Sequence, residues 1–417
     1  MECIVINGGR ALQGRVAASG AKNSALAIMA ATLLGSGEHR ISGVPDLRDI
    51  STMKRLLEHL GVRITGSADL RLDATHIDIV DAPYELVRTM RASFLVLGPL
   101  LARFGNARVS LPGGCAIGLR PVDIHIKALE AMGARISIES GYVNAVCERM
   151  RGARILFDMP TVGGTENVMM AACLADGVTV IENAAREPEI TDLAVALRSA
   201  GARISGDGTG TITIEGVREL APIVHTVMPD RIEAGTLLIA GAITVGDVTV
   251  ENCPVAYMGA TLEKLRDIGC VVDESENCVR IRADRGLKPV EVTTSPYPGF
   301  PTDMQAQLMS LLTLAGGTSL IRETIFENRF IHVAELDRMG AHIRVERDCA
   351  VITGVEQLEG ARVMASDLRA SACLILAGLA AHGTTVVSRI YHLDRGYEAL
   401  EEKLRRLGAD IRREKET

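Results

Sequence analysis

The sequence predicts an α/β (α+β) fold in two lobes, made of six αβαββ units with three in each lobe, and three observations predict it. First, one cadence recurs six times: an amphipathic run, a glycine, then a short β-type segment. The six are LLEHLGVRI around Gly61, ALEAMGARI around Gly133, ALRSAGARI around Gly201, KLRDIGCVV around Gly269, ELDRMGAHI around Gly340 and KLRRLGADI around Gly408. Neighbouring glycines are 72, 68, 68, 71 and 68 residues apart, a regularity that marks a repeat architecture. Second, each cadence is preceded by an apolar run of small residues: SALAIMAATLL, SFLVLGPLLA, NVMMAACLA, GTLLIAGAI, QAQLMSLLTLA and SACLILAGLAA. Third, the sixth unit stops at Ile411 and a charged tail, and its missing strands have a counterpart at the other end. There VINGGRALQGRVAASG (5–20) resembles VITGVEQLEGARVMASD (351–367) in pattern.

The elements follow in order within a unit. The opening run is apolar on every side, so it reads as a buried helix. A glycine or polar break and a strand-like stretch follow, such as VTVIEN or TTVVSRI. Next comes an amphipathic helix with one wet face, its apolar positions Met53, Leu56, Leu57 and Leu60 falling at helical spacing. After the marker glycine come two more strand-like segments. Because the first twenty residues complete the last unit, the expected division is one lobe at 21–228 and another at 229–417 plus 1–20. The chain then crosses twice between the lobes and leaves a cleft.

At 417 residues the chain is long enough for two or three domains. A hydrophobic content of 47% with 23% charged residues suits a well-cored soluble protein. The longest apolar runs fall far short of the roughly 18 residues that span a bilayer. MECIVINGG has neither a basic stretch nor a small-residue cleavage site, so a cytoplasmic protein without membrane association is expected. Nine cysteines occur without a C-x-x-C pair; Cys3, Cys173, Cys270 and Cys373 sit in apolar runs and read as core residues. A net charge of −7, no tryptophan and 3% aromatics argue against nucleic-acid binding. GDGTG at 206–210 precedes TITIEG and opens no helix, so it reads as a hairpin turn and not as a dinucleotide loop. The nine histidines show no metal spacing, and His59 and His125 read as helix-surface residues. No metal and no cofactor are expected, and the oligomeric state stays open, a monomer included.

Departures from the repeat mark the candidate site. Polar residues recur at the start of the buried helices: Lys22-Asn23, Arg91, Thr165-Glu166, Arg231, Asp303 and Arg369. They recur again in the loop after the following strand: Arg48, Arg120, Arg186, Arg329 and Arg395, with Tyr257 in the fourth unit. Helix N-termini favour anions, and adding cations there strengthens an anion site. Repeat proteins also tend to gather their binding residues on one face. The second unit holds the largest anomaly. Gly105 to Gly133 spans 28 residues, against 24 from Gly177 to Gly201 and 23 from Gly246 to Gly269. The surplus lies in LPGGCAIGLRPVD, a glycine-flanked loop that puts Cys115 beside Arg120. A thiol near cations is in the environment that makes it reactive.

GAKNSALAIMA, PGGCAIGLRPVD, NAAREPEITD, FPTDMQAQ, ETIFENRF, DLRASA and RIYHLDRGYE resemble the UDP-N-acetylglucosamine 1-carboxyvinyltransferase family over the whole chain. The resemblance implies a two-lobed inverse α/β barrel and the first committed step of peptidoglycan synthesis. In that step the enolpyruvyl group of phosphoenolpyruvate passes to the 3′-hydroxyl of UDP-N-acetylglucosamine with release of phosphate. It also implies residue roles. Cys115 matches the proton donor, which also forms a covalent adduct, and Asp303 matches the base. Lys22, Asn23, Arg120, Arg369 and Arg395 match phosphoenolpyruvate contacts, with Lys22 and Arg395 also catalytic. Arg91, Arg120, Pro121, Val122, Asp123 and Ile124 match contacts to the sugar nucleotide, as do Pro160, Thr161, Val162, Gly163, Asp303, Ile325 and Arg329. Arg48 stands where the family often has lysine, and Met159 opens MPTVGG where a lysine is common. The latter change weakens a phosphate contact at that position. Two other readings stay open on the sequence: the sister enzyme acting on shikimate 3-phosphate, and a non-catalytic UDP-sugar-binding protein.

Overall fold

A computed structural model describes residues 2–113 and 122–416. The chain folds as two compact units, one formed by residues 20–228 and the other by residues 2–19 with 229–416. Each has its own apolar core.

The first unit carries helices α1 (Lys22–Ala31), α2 (Arg48–Leu60), α3 (Tyr84–Val87), α4 (Leu97–Phe104), α5 (Asp123–Ala131), α6 (Val162–Ala172) and α7 (Pro188–Ser199). The second carries α8 (Arg231–Ile243), α9 (Gly259–Asp267), α10 (Gln305–Leu312), α11 (Val333–Arg338), α12 (Leu368–Ala380) and α13 (Leu400–Arg406). The two kinds of helix read from the sequence are both present. In α8 and α12 nearly every residue is buried, and α8, α10 and α12 pack on one another at the centre of their unit. In α2 the buried apolar residues Ile50, Met53, Leu56, Leu57 and Leu60 form one stripe against the core.

All six marker glycines take positive φ, between 87° and 112°. Each ends an outer helix in the same pair of bonds, for example Gly201 N–H to the Arg198 carbonyl at 3.0 Å and Ala202 N–H to Leu197 at 3.1 Å. This is the Schellman closure, and it explains why glycine recurs there, since a Cβ disfavours that backbone region. At Gly201 an added Cβ meets nothing within 4 Å, so Gly201→Ala isolates the backbone term. The expected cost is about 1–2 kcal/mol, read as a lower denaturation midpoint; an unchanged midpoint contradicts it.

Among the described residues every sheet has four strands, one more than the units show in sequence. In the third, Arg154–Leu156 runs parallel to Val178–Glu182, which pairs antiparallel with Thr211–Glu215, itself paired with Arg203–Ser205. The added member is the short parallel strand just before each buried helix. GDGTG forms the turn between Arg203–Ser205 and Thr211–Glu215, with Gly206 and Gly208 at positive φ. Two closures bring distant segments together. Val224–Thr226 pairs parallel with Glu38–Ser42 in the first unit. In the second, Glu2–Asn7 lies between Thr384–Ser388 and Asp410–Lys415, while Gln13–Ala17 runs parallel to Asp247–Glu251. The two N-terminal strands therefore enter two different sheets.

The same carbonyl contact ends every unit. The residue after the long third strand donates its N–H to the residue that precedes or opens the first strand: Ala74 to Gly37, Cys147 to Gly105, Gly216 to Gly177, Ala283 to Gly246, Gly354 to Gly317 and Gly8 to Gly383. The repeat is thus kept at the level of single hydrogen bonds.

Candidate active site

In the first unit, the starts of three helical segments gather around Asn167, a polar residue of α6 with no exposed surface. Its Oδ1 accepts from Gly98 N–H at 2.7 Å, which leaves Nδ2 to donate to the Phe94 carbonyl and to His125 Nδ1, each at 3.1 Å. That arrangement puts the histidine's own proton on Nε2. His125 also stands edge-on to Phe94, with ring centroids 5.3 Å apart. Burial, followed by the charge on Arg91, pulls its pKa down to about 4. His125 is therefore a buried neutral residue and not the helix-surface residue expected; the amide of Asn167, which donates to it, and the ring of Phe94 cover it.

This packing draws together those predicted sugar-nucleotide residues that are described in the first unit. Arg91 opens the 3₁₀ stretch Arg91–Val96, Val122 and Asp123 open α5, and Pro160–Gly163 lead into α6. A Cβ on Gly163 would stand 3.3 Å from His125 Cε1, so the α5 and α6 starts are neighbours. Thr161 caps α6, its hydroxyl accepting from Gly164 N–H at 3.2 Å. The N–H groups of Val162 and Gly163 keep no acceptor inside the helix, as at any helix start. The result is a donor-rich surface suited to an anion, even though Met159 brings no charge.

Lys22 is the first residue of α1, and its Nζ lies 3.5 Å from Asp49 Oδ2, both side chains being largely buried. Asn23 and Arg48 are exposed, as is Arg186. Behind Lys22, Asp192 accepts from Ser24 Oγ, from Met228 N–H at 3.2 Å and from His225 Nε2 at 2.8 Å. It thereby ties the start of α1 to α7 and to the strand Val224–Thr226. Thr165 and Glu166 do not stand at the helix start. They lie a turn inside α6, and burial, with Glu189 and Glu187 nearby, pushes the Glu166 carboxyl well up.

The second unit supplies a more concentrated group. Asp303 lies in the 3₁₀ turn Thr302–Met304 that leads into α10. Its Oδ1 accepts from Arg329 Nη2 at 2.9 Å and its Oδ2 from Arg369 Nη2 at 2.7 Å. Both guanidinium groups are nearly inaccessible, whereas the Asp303 side chain keeps an open edge, 29% exposed. Burial would raise its pKa, but Arg369 and then Arg329 outweigh that and hold the carboxyl well below the usual range. Arg329 Nη1 is buried with no hydrogen-bond partner among the described residues, a donor still open to an acceptor oxygen. Arg369 is the second residue of α12, whose start is capped by Asp367. Arg395, half-buried, ends the 3₁₀ stretch Ile390–Arg395.

Ile325 is placed by a residue that sequence reasoning missed. The buried Glu323 accepts from Ile325 N–H at 2.8 Å and Phe326 N–H at 3.2 Å through Oε1. Its Oε2 accepts from Thr302 Oγ1, next to Asp303, at 2.8 Å. One carboxylate thus registers the Ile325 loop against the Asp303 turn. Glu323 follows the strand Thr318–Arg322 directly, and only its position in the ETIFENRF run hinted at it. Asn167 carried a clearer signal, as the one amide in NVMMAACLA. Cys115, Arg120 and Pro121 lie outside the described residues.

Residues 6–404 match the family described as EPSP synthase (3-phosphoshikimate 1-carboxyvinyltransferase). The chain is 58% identical over 417 residues to the UDP-N-acetylglucosamine 1-carboxyvinyltransferase of Geotalea uraniireducens (strain Rf4), with 100% of each covered. It is 59% identical over 419 residues to that of Anaeromyxobacter sp. (strain K), with 99% of each covered. Among solved structures it resembles the enolpyruvyl transferase NikO from Streptomyces tendae, with a TM-score of 0.89 and 27% identity over 99% of this chain and 98% of that one. The fold is also that of EPSP synthase from Acinetobacter baumannii, with a TM-score of 0.78 and 18% identity over 100% of both chains.

Proposed function

The chain belongs to the UDP-N-acetylglucosamine 1-carboxyvinyltransferase family, and from that membership we infer its reaction and the roles of its site residues. It transfers the enolpyruvyl group of phosphoenolpyruvate to the 3′-hydroxyl of UDP-N-acetylglucosamine and releases phosphate, the first committed step of peptidoglycan synthesis. The observation that carries this is full-length identity of 58% to a relative of that name. The likeness to EPSP synthase at 18% identity concerns the fold alone, so shikimate 3-phosphate is the weaker choice of acceptor.

The chemistry requires a proton at C3 of phosphoenolpyruvate while the sugar oxygen bonds to C2, and a base for the hydroxyl proton. Phosphate then leaves as C3 gives a proton back, restoring the double bond. Asp303 suits the base: its two arginine partners keep it ionised at neutral pH, and its open edge admits a hydroxyl. So strongly held a carboxylate takes the proton only as the C–O bond forms and the hydroxyl acidifies. Cys115 is the C3 proton donor and the residue that forms the adduct. Lys22, Asn23, Arg120, Arg369 and Arg395 hold phosphoenolpyruvate, whose phosphate carries about −1.5 to −2 charges. The helix starts at Arg91, Val122–Ile124 and Pro160–Gly163 bind the sugar nucleotide, with Ile325 and Arg329 also in contact. Among the described residues, no helix is long and apolar enough to cross a membrane, and we place the reaction in the cytoplasm.

Phosphate release from phosphoenolpyruvate tests the reading. The expected result is turnover with UDP-N-acetylglucosamine and little with shikimate 3-phosphate or without an acceptor. Release with shikimate 3-phosphate alone would overturn the acceptor assignment, and none with either would overturn the activity.

A further inference from the structure

We propose that Tyr397 is a positioning residue for the transfer, its hydroxyl holding the Arg369 guanidinium in place on Asp303. The proposal rests on the reading of Asp303 as the group that accepts the hydroxyl proton. Tyr397 is 2% exposed and follows the stretch Ile390–Arg395. Its ring lies beneath Arg369, whose central carbon is 5.5 Å from the ring centroid.

The donors around the phenol determine where its proton points. Guanidinium and amide N–H groups only donate, so the phenol oxygen accepts from Arg369 Nη1 at 3.2 Å and from Gln307 Nε2 at 3.0 Å. The orientation of the Gln307 amide is fixed because Nε2 also lies 2.8 Å from the backbone carbonyl of Asp303, where only the NH₂ end can face. One acceptor then remains for the phenolic proton: Thr236 Oγ1 at 3.1 Å. Thr236 gives its own proton to the Ile232 carbonyl at 2.7 Å. The chain of donors runs one way, from Arg369 and Gln307 through Tyr397 and Thr236 to the backbone of α8.

Two consequences follow. The lone pairs of the phenol face Arg369, so Nη1 is tied to Tyr397 while Nη2 engages Asp303. Gln307 also joins that hydroxyl to the carbonyl of Asp303 itself, so α8, α10 and α12 are registered by a single oxygen. Burial favours the neutral phenol over the opposing pull of Arg369. The charged and titratable groups concerned are Arg369 and Arg329 facing Asp303, Asp230 and the neutral Tyr397 facing Arg369, and His332, itself beside Asp367, facing Arg329.

Tyr397→Phe keeps the ring and removes the hydroxyl. Arg369 Nη1 then lacks its acceptor, the guanidinium holds Asp303 less firmly, and the carboxyl is depressed less. A carboxylate that must be ionised then fails at a higher pH as the solution is acidified. We expect kcat to fall about tenfold, given the strength of hydrogen bonds to charged groups. The acid limb of the kcat/KM profile should move up by about one pH unit, while KM for UDP-N-acetylglucosamine changes less than kcat. Thr236→Val, which removes the acceptor of the phenolic proton, should shift the limb the same way by less. If both variants fold and their profiles superimpose on that of the unsubstituted enzyme, the proposal is overturned. Asp303→Asn separates the two readings. If it keeps full turnover, the role of Asp303 fails. If it is inactive while the Tyr397→Phe profile stays unmoved, only the positioning role fails.

Discussion

Replacing Asp303 by asparagine lowers kcat by about a hundredfold to ten-thousandfold, the range a positioned general base supplies. Asparagine keeps the shape and loses the charge, so the loss cannot be attributed to a gap in the packing. The structure predicts a second effect of separate origin. Arg329 and Arg369 are both 5% exposed and both bond this carboxylate. Leaving buried charges uncompensated costs about 3–5 kcal/mol, and the open edge of Asp303 puts the expected value at the lower end. Activity should therefore fall at every temperature at which the variant is folded, together with a lower thermal midpoint. Phosphate release measures the first and calorimetric unfolding the second. If UDP-N-acetylglucosamine still binds in titration calorimetry while turnover is lost, the defect lies in the chemical step. Turnover within a few-fold of the unsubstituted enzyme would remove Asp303 from the mechanism.

Cys115→Ala loses turnover on a similar scale, whereas Cys115→Asp retains much of it. The difference isolates what the residue supplies. A carboxylic acid can deliver a proton to C3 but cannot form the thioether-type adduct, and alanine can do neither. Neighbouring cations lower a thiol's pKa, which favours nucleophilic attack and depletes the acid form, so the two roles pull in opposite directions. Steady-state phosphate release by both variants settles which of them limits turnover. Near-normal rates for the alanine variant would exclude a required proton donor at this position. Intact mass after incubation with phosphoenolpyruvate should show an adduct on the unsubstituted enzyme alone.

The repeat was legible because its marker is a backbone requirement. Only glycine accepts positive φ cheaply, so the six Schellman closures are written into the sequence at Gly61, Gly133, Gly201, Gly269, Gly340 and Gly408. Asp303, Arg329 and Arg369 were legible for a related reason: equivalent positions of a repeat expose departures from it. The short parallel strands were not. Three residues such as Arg154–Leu156 hold too few side chains to show a period, and their pairing with Val178–Glu182 is decided by the sheet. His125 was misread because a lone polar residue near a helix start has no local mark of burial; Asn167, 42 residues away, makes the difference. Tyr397 and Glu323 left no pattern either, since each acts through hydrogen bonds to segments far off in sequence. What the sequence shows least well is the layer of side chains that holds other side chains.

The pairing of Glu2–Asn7 with Asp410–Lys415 has a consequence for synthesis. Glu2–Asn7 leaves the ribosome long before its neighbours do, for its partners lie some four hundred residues downstream. Gln13–Ala17 waits less long, until Asp247–Glu251 emerges. Meanwhile the segment from Gly20 to Met228 has all its strand partners within itself and is free to fold. For most of translation the nascent chain therefore carries unpaired β segments ahead of a unit already able to collapse. Unpaired strands of that kind invite the wrong partner. The circular closure that completes the second unit is also the step at which the newborn chain is most exposed to chaperones and to its own neighbours.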